Sequence, residues 1–271
     1  FKYKIDTLLG LITKSKYDGI GNRKPINLSI ALDVSGSMST IDNNSGGKSR
    51  IKLAIESLKK LISIMDPAED RISFTFNHET QKIFGLLNKE EIEKKYLNDF
   101  DSLKANGGTD LYEGLLQAKN NFDDNVTKEK RIVLITDDMY VDKNNQLFNL
   151  FGECVEKGNT SITLIAISDS ANLVLADKIC HFKGCNYFTI TNCTELDTYL
   201  VKNFNYIFFP FAHDTKISIK STNAKILKCI GGGNDLFDDI TDDTTKEKGN
   251  QKESNEFNYY IGSAFASELI K

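Results

Sequence analysis

The pattern of hydrophobic and polar residues predicts strands that alternate with helices along most of the chain. Two segments, residues 132–135 and 162–167, form nearly continuous apolar runs in which Thr163 is the one polar residue, as strands do when helices cover both faces of their sheet. Residues 51–65 instead repeat apolar side chains at the helical period, which predicts a helix with one face packed on a sheet. The two patterns together indicate an α/β fold.

The order of these segments constrains the topology of the sheet. Strands are predicted over residues 26–32, 71–76, 81–87, 132–135, 162–167 and 186–190. Helices are predicted over residues 51–65, 89–104, 111–122, 146–157, 171–179 and 195–203. Strands that alternate with helices form parallel sheets, because each crossover returns the chain to the same end of the sheet. We therefore predict a doubly wound, mostly parallel sheet flanked by helices, in which the second and third strands form a hairpin.

The pattern changes after Pro210, where no further helix is predicted. Short strands are predicted there over residues 216–220, 226–230 and 257–261. The polar, acidic segment over residues 234–256 has the composition of a flexible loop. We therefore divide the chain into an N-terminal flank (1–25), an α/β domain (26–209) and a partial, β-rich appendage with an acidic loop (210–271).

Composition and charge narrow the class of partner. The 271 residues include 34 basic and 38 acidic side chains, and the sequence pI is about 5.5. This mildly acidic balance disfavours binding to the phosphate backbone of nucleic acids. No apolar run reaches the roughly 20 residues that a membrane-spanning helix needs. We therefore expect neither a nucleic-acid partner nor a membrane span.

The cysteines bear on the cellular compartment. The chain contains an odd number of them: Cys154, Cys180, Cys185, Cys193 and Cys229. They form no C-x-x-C pair and no short-spaced framework typical of small secreted domains, so we expect reduced thiols in an intracellular, cytoplasmic protein. The alternative is a zinc site of Cys180, His181, Cys185 and Cys193, whose spacing fits no standard zinc motif. Since the chain starts without a methionine, we expect it to be a fragment of a longer protein.

The segment that follows the first predicted strand has the composition of a metal site. Asp33, Ser35 and Ser37 occupy alternate positions there, with Gly36 between the two serines. Mg²⁺ and Mn²⁺ prefer hard oxygen ligands in a compact octahedral arrangement, which short side chains on a sharply turning backbone supply. Ligands of doubly wound sheets bind beyond the carboxyl ends of the strands. Because hydroxyls carry no charge, an ion held mainly by them would attract one more anionic oxygen from outside.

Two further segments complete a pattern of three loops. The segments are, in order, Asp33-x-Ser35-x-Ser37, Gly107-Gly108-Thr109-Asp110 and Ile135-Thr136-Asp137. Each of them falls at a predicted strand end or helix start. Together they resemble the metal-ion-dependent adhesion site of von Willebrand factor type A domains and integrin I domains, and the resemblance covers roughly residues 26–203.

The resemblance implies a von Willebrand factor type A fold with one Mg²⁺ or Mn²⁺ ion as its cofactor. The residues that it assigns to the metal site are Asp33, Ser35, Ser37, Thr109 and Asp137. In the family, the last of these usually acts through water, and the ion's open position accepts a Glu or Asp of a protein partner. The resemblance therefore implies protein recognition and not an enzyme.

The chain departs from the family at Asp138, where Gly is common. An extra carboxylate at this position would tighten cation binding, weaken the attraction for an acidic partner, or only cap or solvate the loop. The residues leave these three effects open.

Other interpretations of the same segments have specific weaknesses. Residues 46–49, Gly-Gly-Lys-Ser, resemble part of a phosphate-binding loop, but the first Gly of that motif is replaced by Asp42. A phosphoaspartyl phosphatase would use Asp33 as nucleophile, yet it needs a general acid where the chain has Ser35. The alternatives that stay open are a structural or assembly module whose contacts do not use the metal, and a family member whose site holds no ion. The partner's identity and the oligomeric state are also open.

Overall fold

The structure is a computed structural model. It describes residues 24–42, 45–76, 82–122, 128–137, 145–168, 172–180, 182, 184–220 and 256–265. The N-terminal flank up to residue 23, the predicted strand over 226–230 and most of the acidic loop lie outside the described residues. Asp138, His181 and Cys229 lie outside them as well.

Six strands form the main sheet. Their bounds are Ile26–Leu32 (β1), Arg71–Phe76 (β2), Lys82–Leu87 (β3), Glu129–Thr136 (β4), Thr160–Ile167 (β5) and Asn186–Ile190 (β6). The strands lie in the order β3-β2-β1-β4-β5-β6. All neighbours are parallel except β2 and β3, which pair antiparallel. The predicted mostly parallel sheet with one hairpin is therefore confirmed.

Helices cover both faces of this sheet. Within the described residues, the α-helices are Arg50–Ile64 (α1), Lys89–Lys95 (α2), Asp99–Ser102 (α3), Leu111–Asn120 (α4), Gln146–Gly152 (α5), Leu173–Cys180 (α6) and Phe204–Phe208 (α7). Helix α1 packs Leu58 and Leu61 into one apolar cluster, whereas α4 packs Leu115 into a second cluster that also includes Leu134 of β4. Strand β1 is buried along its whole length. Burial on both faces explains why the central strands are mostly apolar and do not alternate with exposed polar residues.

The predicted helix over residues 89–104 is wrong in its continuity. The structure contains two short helices, α2 and α3, because the chain turns after Tyr96 and brings Phe100 into the core. The ring of Phe100 packs edge-on against that of Phe74, with 4.9 Å between the ring centroids. Burial of this aromatic side chain decides the local backbone here.

The predicted helix over residues 195–203 is also replaced by shorter turns. A 3-10 turn, Cys193–Glu195, and a π-helical turn, Thr198–Lys202, precede α7. Buried side chains recur here at every fourth position: Leu196, Leu200 and Phe204. A period of four exceeds the α-helical repeat of 3.6, so a wider turn keeps these side chains on one face.

A second sheet contains only two strands among the described residues. Pro210–Lys220 (β7) and Glu256–Phe265 (β8) pair antiparallel and form no ladder with the main sheet. Strand β7 begins six residues before the predicted strand over 216–220. The domain boundaries and the intracellular location stay predictions. Among the described residues, no helix is both long and apolar enough to cross a membrane.

The described cysteines are free thiols: Cys154, Cys180, Cys185 and Cys193. Burial raises the pKa of Cys154 to about 11 and the pKa of Cys185 to about 12. A thiol with such a pKa stays protonated at neutral pH and is a poor nucleophile and metal ligand. In the described part of the chain, no three His, Cys, Asp or Glu side chains form a group that would hold a metal ion. The zinc alternative stays untested, because its His181 lies outside the described residues.

Candidate metal centre

The carboxyl ends of β1 and β4 lie side by side where the chain changes direction across the sheet. From β1 the chain continues to β2 and β3 on one side, whereas β4, β5 and β6 lie on the other. Such a switch point opens a crevice in which doubly wound folds bind ligands. Asp33 directly follows the last residue of β1, and Asp137 directly follows the last residue of β4. Both carboxylates are therefore at the position where the topology predicts a site.

The carboxylate of Asp33 is held by contacts to three residues. Its Oδ1 accepts a hydrogen bond of 2.8 Å from the backbone N–H of Ser35, and its Oδ2 accepts one of 2.7 Å from the hydroxyl of Thr136. The hydroxyl of Thr109 lies 3.2 Å from Oδ2 and 3.4 Å from Oδ1. Because Asp33 is fully buried, these protein groups and not bulk water orient it.

A second set of contacts joins Ser35, Ser37 and Asp137. The two serine Oγ atoms are 2.8 Å apart, and Ser37 donates a hydrogen bond of 2.7 Å to Oδ1 of Asp137. Ser35 is buried and Ser37 is exposed, so the hydroxyls extend from the interior to the surface. The five residues that the sequence assigns to a metal site thus belong to one hydrogen-bonded group, in which the backbone N–H of Ser35 joins the two sets of side chains.

Backbone hydrogen bonds hold the first two loops together. The N–H of Gly36 donates to the carbonyl oxygen of Gly107 over 3.1 Å, and the N–H of Asn106 donates to that of Val34 over 2.7 Å. Gly107 has a φ of 84°, which side-chain-bearing residues rarely adopt. A glycine is therefore needed at the turn that brings Thr109 to the first loop.

The spacing of the oxygen atoms fits a small divalent cation. With ligands at 2.0–2.1 Å, adjacent oxygens of an octahedral Mg²⁺ site are about 2.9 Å apart. The observed separations between the proposed direct ligands are 2.8 Å for Ser35 and Ser37 and 3.2 Å for Thr109 and Asp33, which are also ordinary hydrogen-bond lengths. Two carboxylates and three hydroxyls form a donor set that suits Mg²⁺ or Mn²⁺ better than softer metals.

Arg50 and Asp42 also belong to this region, although no sequence motif indicated them. Arg50 donates from Nη1 to Oδ2 of Asp137 over 2.8 Å and from Nε to Oδ1 of Asp42 over 3.0 Å. Oδ2 of Asp42 accepts a bond of 2.5 Å from the backbone N–H of Cys193. Burial lowers the pKa of Arg50, but its hydrogen bonds with the two carboxylates outweigh this effect, and the pKa is raised. The one feature of the sequence that could have indicated a role for Arg50 is its position at the start of α1, where the helix dipole disfavours positive charge.

Lys48 and Ser49 do not take part in this group of side chains. Lys48 forms a partly exposed ion pair of 2.8 Å with Glu56, and Ser49 precedes α1 without a side-chain capping bond. We expect Lys48→Ala to change the free energy of unfolding by less than about 1 kcal/mol, as is typical of exposed pairs. Chemical denaturation measures this change. Ser49→Ala is the control, because Ser49 forms no side-chain capping bond with α1.

Both variants should also leave cation binding unchanged in calorimetry. Saturable ATP binding by the wild type that disappears in Lys48→Ala would contradict this assignment and restore the phosphate-loop interpretation.

Comparison with protein families adds a second line of evidence. Residues 28–140 match the family model of the von Willebrand factor type A domain. This range includes most of β1, all of β4 and all three loops of the site. No sequence among curated proteins matches the chain.

Solved structures share the fold at low sequence identity. A von Willebrand factor type A protein from Catenulispora acidiphila is 17% identical with a TM-score of 0.55; the match covers 74% of this chain and 46% of that one. The SpRpn10 VWA domain is 18% identical with a TM-score of 0.52, and the match covers 64% and 93%.

A mussel byssus protein provides a further comparison. Proximal thread matrix protein 1, with a zinc-occupied MIDAS motif, is 16% identical with a TM-score of 0.53, and the match covers 67% of this chain and 45% of that one. At these identities the solved structures show a common fold alone. The family match over residues 28–140 and this fold together support a von Willebrand factor type A domain in this chain.

Proposed function

We propose that this protein recognises a protein partner through a divalent cation. The observation that carries the proposal is the convergence of side-chain oxygens from three separate loops at the switch point of the sheet. Domains of this family are commonly protein-interaction modules. The cation would provide the positive charge that a carboxylate of the partner needs.

The proposed cation is Mg²⁺ or Mn²⁺. Asp33, Ser35, Ser37 and Thr109 would hold it directly, and Asp137 would contribute through water. None of these side chains offers sulfur or imidazole, the donors that favour zinc. Zinc in the mussel protein still makes that ion a useful comparison in binding experiments.

The partner would approach from the exposed side of the site. Ser37 is exposed and Thr109 is partly exposed, whereas Asp33 is buried. Ile41, only four residues after Ser37, is 63% exposed, and its backbone forms a β-bridge with Ser49. An apolar side chain held in this way offers a contact beside the cation, so we propose that apolar residues flank the acidic residue of the partner.

We propose binding and not catalysis because the groups that catalysis would need are otherwise engaged. Lys48, the lysine of the phosphate-loop interpretation, pairs with Glu56. A phosphatase would need a general acid at the position of Ser35, whose Oγ instead lies 2.8 Å from that of Ser37. These contacts support a site that holds an ion.

Affinity capture with paired variants tests this function. We expect the wild type to retain its partner in Mg²⁺ and to lose it in EDTA, and Asp33→Ala to lose it in both conditions. Asp101→Ala is the matched control, because it removes a largely exposed carboxylate that pairs only with Lys59 among the described residues. A partner retained by every protein in every condition would contradict the proposal and support a structural or assembly module.

A further inference from the structure

Arg50 bridges two buried carboxylates that come from different loops. Asp137 follows β4, whereas Asp42 lies between β1 and α1. The side chain of Asp137 is 0% exposed and that of Asp42 is 3% exposed, compared with 24% for Arg50. Two carboxylates that water hardly reaches therefore share one guanidinium group.

The geometry of this bridge depends on an arginine. Nε and Nη1 donate in different directions, so the planar group contacts both carboxylates at once. The compact ammonium of a lysine cannot reproduce this fork. Buried charges are costly unless they are paired, and Arg50 supplies the pairing without a metal ion.

We propose that Arg50 is a resident counter-cation of the metal site. It neutralises Asp137 and holds the third loop in place when no divalent ion is bound, and it lowers the affinity of the site for that ion. This inference rests on the proposed function, because it takes Asp137 as part of the cation site. Arg50 acts through Asp137 and is therefore a positioning residue.

The effect on affinity follows from charge. A guanidinium on one oxygen of Asp137 reduces the negative potential that the other oxygen offers to an incoming cation. The site then binds the ion weakly until the partner adds its own carboxylate. Binding of ion and partner is thereby coupled, and by linkage each increases the affinity for the other.

A purely structural role of Arg50, without an electrostatic effect on the ion, predicts the opposite change in Mg²⁺ affinity. If Arg50 only kept Asp137 in position, its removal would disorder the site and weaken cation binding. If Arg50 is a counter-cation, its removal strengthens cation binding. The sign of the change in affinity therefore separates the two roles.

The test uses Arg50→Met, which keeps the approximate length of the side chain and removes its charge. We expect calorimetry with Mg²⁺ to give about ten-fold or more tighter binding than in the wild type, since one unit charge next to the site is removed. Arg50→Lys should give an intermediate affinity. Thermal unfolding should give a lower Tm for Arg50→Met in EDTA, and a larger rise on adding Mg²⁺ than in the wild type. Unchanged or weaker Mg²⁺ binding by Arg50→Met would overturn the proposal.

A second variant covers the case in which Arg50→Met does not fold in EDTA. Arg50→Met combined with Asp42→Asn removes one carboxylate together with the guanidinium, so only Asp137 is left uncompensated. We expect this protein to fold and to bind Mg²⁺ more tightly than the wild type. Weaker binding overturns the inference here as well.

The proposed function and this inference fail in different ways. A wild type that binds no divalent ion refutes the function, whereas a wild type that binds Mg²⁺ more tightly than Arg50→Met refutes only the role of Arg50. The Tm in EDTA tests, in the absence of a metal ion, whether Arg50 neutralises Asp137. There, adding Asp137→Asn to Arg50→Met should recover part of the lost Tm, because Asp42 still lacks its counter-charge, and no recovery would contradict the counter-cation role.

Discussion

Asp33→Asn is expected to abolish the uptake of Mg²⁺ and Mn²⁺ by an otherwise folded protein. The amide keeps the shape of the side chain but removes the charge of the one carboxylate that we propose as a direct ligand. Asp33 is fully buried and is contacted by Ser35, Thr109 and Thr136, so bulk water cannot compensate the ion for the lost negative charge. Calorimetry should give one site for the wild type and none for the variant at millimolar ion.

The same substitution should remove the stabilisation that the ion provides. An ion at 100 times its Kd stabilises the folded state by about 2.7 kcal/mol, which raises the Tm of a domain of this size by about 5–10 °C. We expect this rise for the wild type and for the control Asp101→Asn, and none for Asp33→Asn. A well-folded wild type that takes up neither ion at millimolar concentration would contradict the site as we describe it.

The sheet could be predicted from the sequence because its central strands are covered on both faces. Every residue from Ile26 to Leu32 is buried, and five of the seven are apolar, a predominance that is visible without any tertiary information. The helical period of α1 is visible for the same reason, since one face of the helix is buried and the other is not.

The convergence of the three loops could also be predicted, because parallel strands bring their carboxyl ends together. The register that pairs Leu32 with Ile135 sets the residues after β1 beside those after β4. The hydrogen bond from Thr136 to Asp33 depends on this register. Thr136 is part of the third sequence segment, but the sequence alone did not show that its hydroxyl contacts Asp33. Metal ligation by the five predicted residues stays a prediction.

The break between α2 and α3 and the bridge formed by Arg50 could not be predicted. Phe100 ends the continuous helical pattern because its ring packs against Phe74, a contact between residues distant in sequence. Arg50 lies eight residues from Asp42 and 87 residues from Asp137, and no spacing rule connects them. Both features depend on tertiary packing that local periodicity does not encode.

The second large effect is expected on the affinity for the protein partner when one of the partner's acidic residues is replaced. Replacing the one acidic residue that completes the cation's shell should weaken binding by about 2–5 kcal/mol, the usual cost of truncating one member of a desolvated charge pair. This cost corresponds to a loss of roughly thirty-fold to several thousand-fold in affinity. We expect that partner to dock over Ser37, Thr109 and Asp137, and EDTA to cause a loss of the same size.

A double-mutant cycle makes this prediction specific to the site. Thr109→Ala removes a hydroxyl that contacts Asp33. It should therefore strongly weaken binding of the wild-type partner. It should have little further effect on binding of a partner that already lacks its acidic residue. Asp101→Ala is the control on this chain: it removes a largely exposed carboxylate that pairs with Lys59 and belongs to none of the contacts of the site, so it should leave the binding of both partners unchanged. A partner that binds equally well in EDTA, and whose mapped contacts all lie away from the carboxyl ends of the strands, would contradict cation-dependent recognition. Non-additivity at Thr109, with no effect of Asp101→Ala, would locate the partner's carboxylate at the cation.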